Sequence, residues 1–81
     1  MKKKEAIGVW FNPLKFKPTD IEDYREGDYV VLKVMTPGHN WDYKLGWYHR
    51  ELDGRWRFHV INEPGGRYSV VGWTIVSEYN L

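Results

Sequence analysis

The chain has 81 residues, no cysteine and a formal net charge of +1, from 12 Lys and Arg against 11 Asp and Glu. This length fits a single domain, residues 1–81, with a small core, and the lack of cysteine excludes disulfides and thiolate metal sites. The near-neutral charge gives no overall field that would attract nucleic acid. No apolar run is long enough to cross a membrane, and the basic start leads into no signal-type segment, so we expect a cytoplasmic protein with no membrane partner.

The first third of the chain predicts one strand and one short helical segment. Residues 1–5 are basic, and we expect them to be frayed. Residues 6–11 predict a first strand, which the Asn-Pro pair after it ends. Residues 18–24 predict one or two helical turns, with Thr19 as N-cap and Glu22 three residues later in a capping-box pattern.

The remaining segments outside the central hairpin predict two more strands. Residues 29–35 alternate with apolar side chains on both faces, which is typical of a central strand. Residues 36–43 predict a turn-rich loop that exposes two aromatic side chains. After a Gly- and Pro-rich break, residues 67–76 predict the last strand, and residues 77–81 a short tail.

Residues 44–61 predict a β-hairpin around Asp53-Gly54, because this pair tolerates the positive φ angles of a type I′ turn. A two-residue loop places Arg50 opposite Arg57; a three- or five-residue loop would shift these pairs. With the two-residue loop, the apolar face turned to the core carries Leu45, Trp47 and His49 opposite Trp56, Phe58 and Val60. The opposite face is then basic and aromatic. It is either a solvated surface whose arginines pair with acids from elsewhere, or a surface that contacts anions.

These elements predict an all-β fold of five short strands, with one short helical turn between strands 1 and 2. Closure into a small barrel removes the two exposed edges that an open sheet of this size would have. An OB-fold normally has its helix between the third and fourth strands, where this chain has the tight turn. We therefore expect a five-stranded SH3-like barrel.

A resemblance supports the same architecture. The order Gly27-x-Tyr29-Val30-x-Leu32, Gly46-Trp47-Tyr48, Gly54-x-Trp56 and Val71-x-Trp73 is similar to a short domain of unknown function found in phage and prophage proteins. The resemblance covers about two-thirds of the chain and consists of structural residues. It departs at Trp73-Thr74-Ile75, where a proline-containing finish is expected, and it implies no catalytic residues.

The sequence predicts no enzyme and no cofactor. It has no Gly-x-Ser-x-Gly elbow and no phosphate-binding glycine loop with its Lys-Ser/Thr. In the predicted register His49 and His59 point to opposite faces, so they could not share a metal ion.

A small non-catalytic binding module is therefore the predicted function, either a protein–protein interaction module or a phage-type effector that binds and blocks a host protein. The alternative is binding of single-stranded nucleic acid or of a nucleotide phosphate, because arginine and aromatic residues suit both kinds of partner. A protein partner is favoured by the net charge, with homo-oligomerisation through a strand edge as a further variant. The predicted partner-binding residues are Tyr48, Arg50, Arg55, Arg57, His59, Trp41, Tyr43 and Lys44.

Overall fold

The computed structural model describes residues 1–63 and 68–78. It confirms an all-β protein built on an antiparallel four-stranded sheet that curls into a half-barrel. The elements are helix α1 (Lys3–Ala6), a 3-10 turn (Pro18–Asp20) and strands β1 (Tyr29–Met35), β2 (Trp41–Arg50), β3 (Trp56–Val60) and β4 (Ser69–Thr74). The strand order in the sheet is β3-β2-β1-β4. The predicted break at residues 64–67, which includes the first residue of the predicted last strand, and the end of the tail, residues 79–81, lie outside the described residues.

Strand β1 is central, as its sequence predicts, with β2 on one side and β4 on the other. Its inward side chains, Val30, Leu32 and Val34, are completely buried. They pack in a core with Trp73 and Ile75 from the end of the chain. The alternation of β1 therefore fixes which side of the sheet is the inner, core-facing side.

The central hairpin forms, but its turn has three residues, Leu52-Asp53-Gly54. Glu51 and Arg55 are joined by a hydrogen bond in which the Glu51 N–H donates to the Arg55 carbonyl over 2.8 Å. Gly54 has a φ of 84°, whereas Asp53 is not among the residues with positive φ. A type I′ turn needs positive φ at both positions, so the prediction of that turn was wrong.

The longer turn shifts the β2–β3 register by one residue. Arg50 lies opposite Trp56, and His49 lies opposite Arg57, so the predicted Arg50–Arg57 pair does not form. A shift by one residue reverses the faces of one strand relative to the other. Strand β3 keeps its predicted orientation and β2 is reversed.

The reversal changes which β2 residues face the core. Gly46 and Tyr48 are buried, and Tyr48 packs against Trp56 and Phe58 with ring centroids 5.4 and 4.6 Å away. The prediction that Leu45, Trp47 and His49 face the core was wrong, because they occupy the outer side of the sheet. Trp56 lies on the core-facing side as predicted, but 37% of it is exposed.

The N-terminal segment differs from the predicted frayed start and first strand. Helix α1 occupies the start, and the Lys3 ammonium is buried against the Asp28 carboxylate at 2.8 Å. Residues 7–11 make two isolated bridges, Phe11 with Trp73 of β4 and Ile7 with Ile75, the residue after β4. Residues 1–5 are held by Lys3 at the turn before β1 and are not frayed.

Two further details of the predicted elements change. The helical turn before β1 is capped by Asp20, whose carboxylate accepts a hydrogen bond from the Lys17 N–H at 2.8 Å, so the prediction of Thr19 as N-cap was wrong. Strand β4 has a register shift where it pairs with β1, and Val71 is the residue left without a partner. This bulge explains why Val71 is exposed although Trp73 is buried.

Candidate binding surface

The outer side of the sheet is unusually apolar. An antiparallel sheet with one face in water normally carries polar side chains on that face. Here β1 and β2 pair so that Lys33 faces Tyr43 and Met35 faces Trp41. We call this surface the outer sheet face; along β1 and β2 it consists of Tyr29, Val31, Lys33, Met35, Trp41, Tyr43, Leu45, Trp47 and His49.

One end of the outer sheet face carries an aromatic patch, which we define as Trp10, Lys33, Trp41 and Tyr43. The three aromatic residues are 47%, 53% and 58% exposed, in that order along the chain. The Trp10 and Tyr43 ring centroids are 5.7 Å apart, and the Lys33 ammonium lies 5.1 Å from the Trp41 ring centroid. The lysine stem and three large rings thus form one contiguous surface.

Trp10 is the member of the patch that sequence reasoning missed. The Phe11–Trp73 bridge turns Phe11 towards the core aromatics. Trp10 therefore lies on the outer side, where its ring is 3.5 Å from the position that a side chain at Gly72 would occupy. The alternation of residues 6–11 could have placed Trp10 outside, but only with knowledge of where this segment docks.

The predicted partner-binding residues are divided between the two sides of the sheet. Trp41 and Tyr43 are exposed, as predicted, and lie on the outer sheet face within β2. Tyr48 is only 5% exposed and faces the core, which contradicts its predicted place on the surface. Arg50 follows the same alternation as Tyr48 and is exposed at the end of β2, away from the aromatic patch.

The arginines of the hairpin do not form the predicted basic surface. The Arg57 guanidinium lies 3.3 Å from Asp53 and 3.8 Å from Glu51, so two carboxylates neutralise it. Arg55 is exposed in the segment before β3. Within residues 1–63 and 68–78, the guanidinium groups of Arg50 and Arg55 make no ion pair.

His59 joins Arg57 on the outer side of β3, next to His49. The two imidazole centroids are 4.1 Å apart, so the prediction that they point to opposite faces was wrong. His59 Nε2 is 3.1 Å from a Glu51 carboxylate oxygen, but no hydrogen bond of acceptable geometry forms at this buried nitrogen within the described part of the chain. No three His, Cys, Asp or Glu side chains of residues 1–63 and 68–78 are placed to share a metal ion.

Lys44 lies on the inner side of β2 and is held by other residues there. Its ammonium is 3.3 Å from Glu63 and 3.5 Å from Asp42, and it lies 5.5 Å from the Tyr68 ring centroid. The hydrogen bond to Glu63 raises the pKa of Lys44. Hydrogen bonds from Tyr68 and then from Lys44 lower the pKa of Glu63. Lys44 is thus a structural cation and is not part of the aromatic patch.

A cleft of about 580 Å³ lies at the N-terminal segment and is lined by polar residues that include Lys3, Tyr24 and Asp28. The one proton of the Tyr24 hydroxyl has two carbonyl acceptors, those of Asp28 and Tyr48, each at 2.9 Å, and the hydroxyl oxygen accepts from the Tyr48 N–H at 3.0 Å. Burial raises the pKa of Tyr24 to about 12. A hydrogen bond from the Lys3 N–H lowers the pKa of Asp23. These contacts already engage the groups at the base of the cleft.

No protein-family model, no curated protein and no solved structure matches this chain. No helix among the described residues is long and apolar enough to cross a membrane.

Proposed function

We propose that this protein is a non-catalytic module that binds another protein through the outer sheet face, with the aromatic patch as the centre of the contact. The observation that carries the proposal is the exposure of Trp10, Trp41 and Tyr43 side by side on one face. Tryptophan and tyrosine are enriched among the residues that dominate protein–protein binding energy. Contiguous exposed apolar surface on a small protein commonly marks such an interface.

The distribution of charge favours a protein over a nucleic acid. Affinity for nucleic acid depends on several cations that contact phosphates. On the outer side, Arg57 is neutralised by Glu51 and Asp53, and Lys33 is the cation of the aromatic patch, stacked on Trp41. One lysine among three rings suits the rim of a protein interface better than a phosphate channel.

We also propose that the half-barrel is of SH3-like type, with residues 7–11 acting as its fifth strand. The bridges of Ile7 and Phe11 on the β4 side support this. The resemblance to a phage and prophage domain supports a role as a stoichiometric cytoplasmic effector that blocks a host protein. A module of this kind needs only an exposed surface and no catalytic group.

Affinity capture with a matched pair of variants tests the proposed surface. The chain, a Trp41→Ala/Tyr43→Ala variant and a Leu14→Ala control are immobilised and exposed to lysate from the native cells. Leu14 is also exposed but lies in the loop after residue 11. We expect the unmodified chain and the Leu14→Ala control to retain the same partner protein. After that partner is purified and titrated, its affinity for the double variant should be at least about tenfold lower, because each aromatic side chain contributes about 1 kcal/mol or more.

A parallel titration with labelled single-stranded DNA and RNA tests the alternative. We expect weak binding to either oligonucleotide and little dependence of partner binding on salt. The proposal would be overturned by tight oligonucleotide binding that weakens steeply with salt, if the double variant also captured the same proteins as the unmodified chain.

A further inference from the structure

Strand β3 is the unpaired edge of the sheet in the described part of the chain. The strand order places β3 at one end and β4 at the other. Residues 7–11 bridge to Trp73 and Ile75 on the β4 side. No comparable segment among residues 1–63 and 68–78 bridges to β3, which β2 flanks on its other side.

The register shows which backbone groups of β3 point away from the sheet. In an antiparallel pair, the hydrogen-bonded residues alternate with non-hydrogen-bonded ones. The Ile61 N–H donates to the Leu45 carbonyl at 2.9 Å, and the Glu51 N–H donates to Arg55. Arg57 and His59 lie at alternate positions between Arg55 and Ile61, so they too are hydrogen-bonded to β2. The N–H and C=O groups of Trp56, Phe58 and Val60 therefore face outwards along the edge. The Val60 carbonyl also accepts a hydrogen bond from the Glu63 N–H of its own chain at 3.3 Å, and its second lone pair can accept an intermolecular donor.

We propose that β3 pairs with β3 of a second copy of this chain, antiparallel and centred on Phe58, so that two half-barrels join into one eight-stranded sheet. In this register the outward groups of Phe58 meet those of its counterpart, and those of Trp56 meet those of Val60. The inner side then pairs Phe58 with Phe58 and Trp56 with Val60, both of which are favourable cross-strand combinations. Trp56, more than a third of which is exposed, becomes covered.

Charge disfavours the neighbouring register that is centred on Arg57. Centring the pair on Arg57 would place two guanidinium groups directly opposite each other, which is destabilising. Centring it on Phe58 places Arg57 opposite His59, and Glu51 lies 3.1 Å from the His59 ring nitrogen. Arg57 of one copy thus lies near the Glu51 carboxylate beside His59 of the other copy. A second copy therefore supplies both the apolar and the charged complement of this edge.

The small size of the chain gives dimerisation a physical reason. A domain of 81 residues buries a limited core, and association is a common way to bury more surface. The edge pairing leaves the aromatic patch accessible, so the dimer does not depend on the proposed function. The two ideas fail separately, since dimerisation is measured without any partner.

Amide exchange and mass measurement on the unmodified chain test the pairing. Sedimentation or light scattering over a wide dilution series should show a monomer–dimer equilibrium. Hydrogen exchange by NMR should slow at high concentration for the Trp56, Phe58 and Val60 amides, whereas the Arg57 and His59 amides stay protected throughout because β2 already pairs with them. A monomer at every concentration, or a dimer in which those three amides are not protected, overturns the proposal.

Two variants at His59 add a matched comparison. His59→Gln places an uncharged polar side chain opposite Arg57, and we expect it to dimerise like the unmodified chain. His59→Lys places two like-charge pairs in the interface and should weaken dimerisation about tenfold. Within its own chain the lysine can still pair with Glu51, so the fold is expected to persist. Equal dimerisation of the two variants contradicts the register.

Discussion

Replacing Lys3 by methionine tests the attachment of the N-terminal segment. The Lys3 and Asp28 side chains are 10% and 5% exposed, with an ammonium–carboxylate distance of 2.8 Å. Methionine keeps most of the apolar stem but removes the charge, which leaves a buried carboxylate without its partner. Breaking a buried pair in this way typically costs about 3 to 5 kcal/mol.

The lower end of this range applies here. Asp28 also accepts a hydrogen bond from the Arg25 N–H at 2.8 Å, which Lys3→Met leaves in place. We therefore expect a loss of about 3 kcal/mol in the free energy of unfolding. A domain of this length has a total of about 4 to 12 kcal/mol, so the change should be large.

Urea unfolding, followed by tryptophan fluorescence, measures this loss, with Lys4→Met as the control because Lys4 is exposed. Asp28→Asn and the Lys3→Met/Asp28→Asn double variant complete a double-mutant cycle. We expect the double variant to be more stable than the sum of the single losses predicts, because no unpaired charge stays buried. Equal midpoints for Lys3→Met and Lys4→Met would refute the reasoning, since they would show that Lys3 is not held at Asp28.

Three further predictions concern single side chains. A methyl group at Gly46 would lie 2.0 Å from the His59 carbonyl oxygen, so Gly46→Ala should destabilise the fold by about 3 kcal/mol in chemical unfolding. An unchanged unfolding midpoint would contradict the close contact between β2 and β3 at this position. Gly54→Val forces a β-branched residue to a φ of 84°, and a melt should show a loss of about 1 to 2 kcal/mol. Tyr24 has a raised pKa in the fold, about 12, so its contribution is present below pH ~10 and is lost as pH rises towards 12. Tyr24→Phe should lower the free energy of unfolding at neutral pH and reduce its further loss at alkaline pH. Parallel plots of the free energy of unfolding against pH for the two chains would show that Tyr24 does not cause that loss.

Much of the inner side of the sheet could be predicted from local patterns. The strict alternation of Val30, Leu32 and Val34 predicts a buried strand, and the structure confirms it. The Asp53-Gly54 pair between two aromatic-rich runs correctly predicts a hairpin. These features depend on near neighbours in sequence, where propensity and alternation are reliable.

The register of the hairpin could not be predicted in the same way. The more apolar face of β2, which carries Leu45 and Trp47, lies on the outer side, whereas Lys44 shares the inner face with Tyr48. The hydrophobic pattern of β2 therefore favours the wrong register, and the number of turn residues decides. An Asp-Gly pair fits a two-residue turn as well as the end of a three-residue turn, in which the glycine alone has positive φ.

The rest of the candidate surface depends on contacts between distant parts of the chain. Trp10 reaches the aromatic patch because Phe11 docks beside Trp73, 62 positions later. Lys3 is buried because Asp28 meets it from a separate turn. Sequence alternation says which residues share a face of one strand, but it does not say which segments meet.

The bridge between Ile7 and Ile75 bears on how the molecule assembles. The two residues lie 68 positions apart, so this contact closes a long loop. Such closure has a high entropic barrier, and proteins dominated by distant pairings fold in milliseconds to seconds rather than microseconds. We therefore expect the folding chain to remain without its complete core until β4 has paired with β1, and the apolar outer sheet face to be exposed to aggregation during that interval.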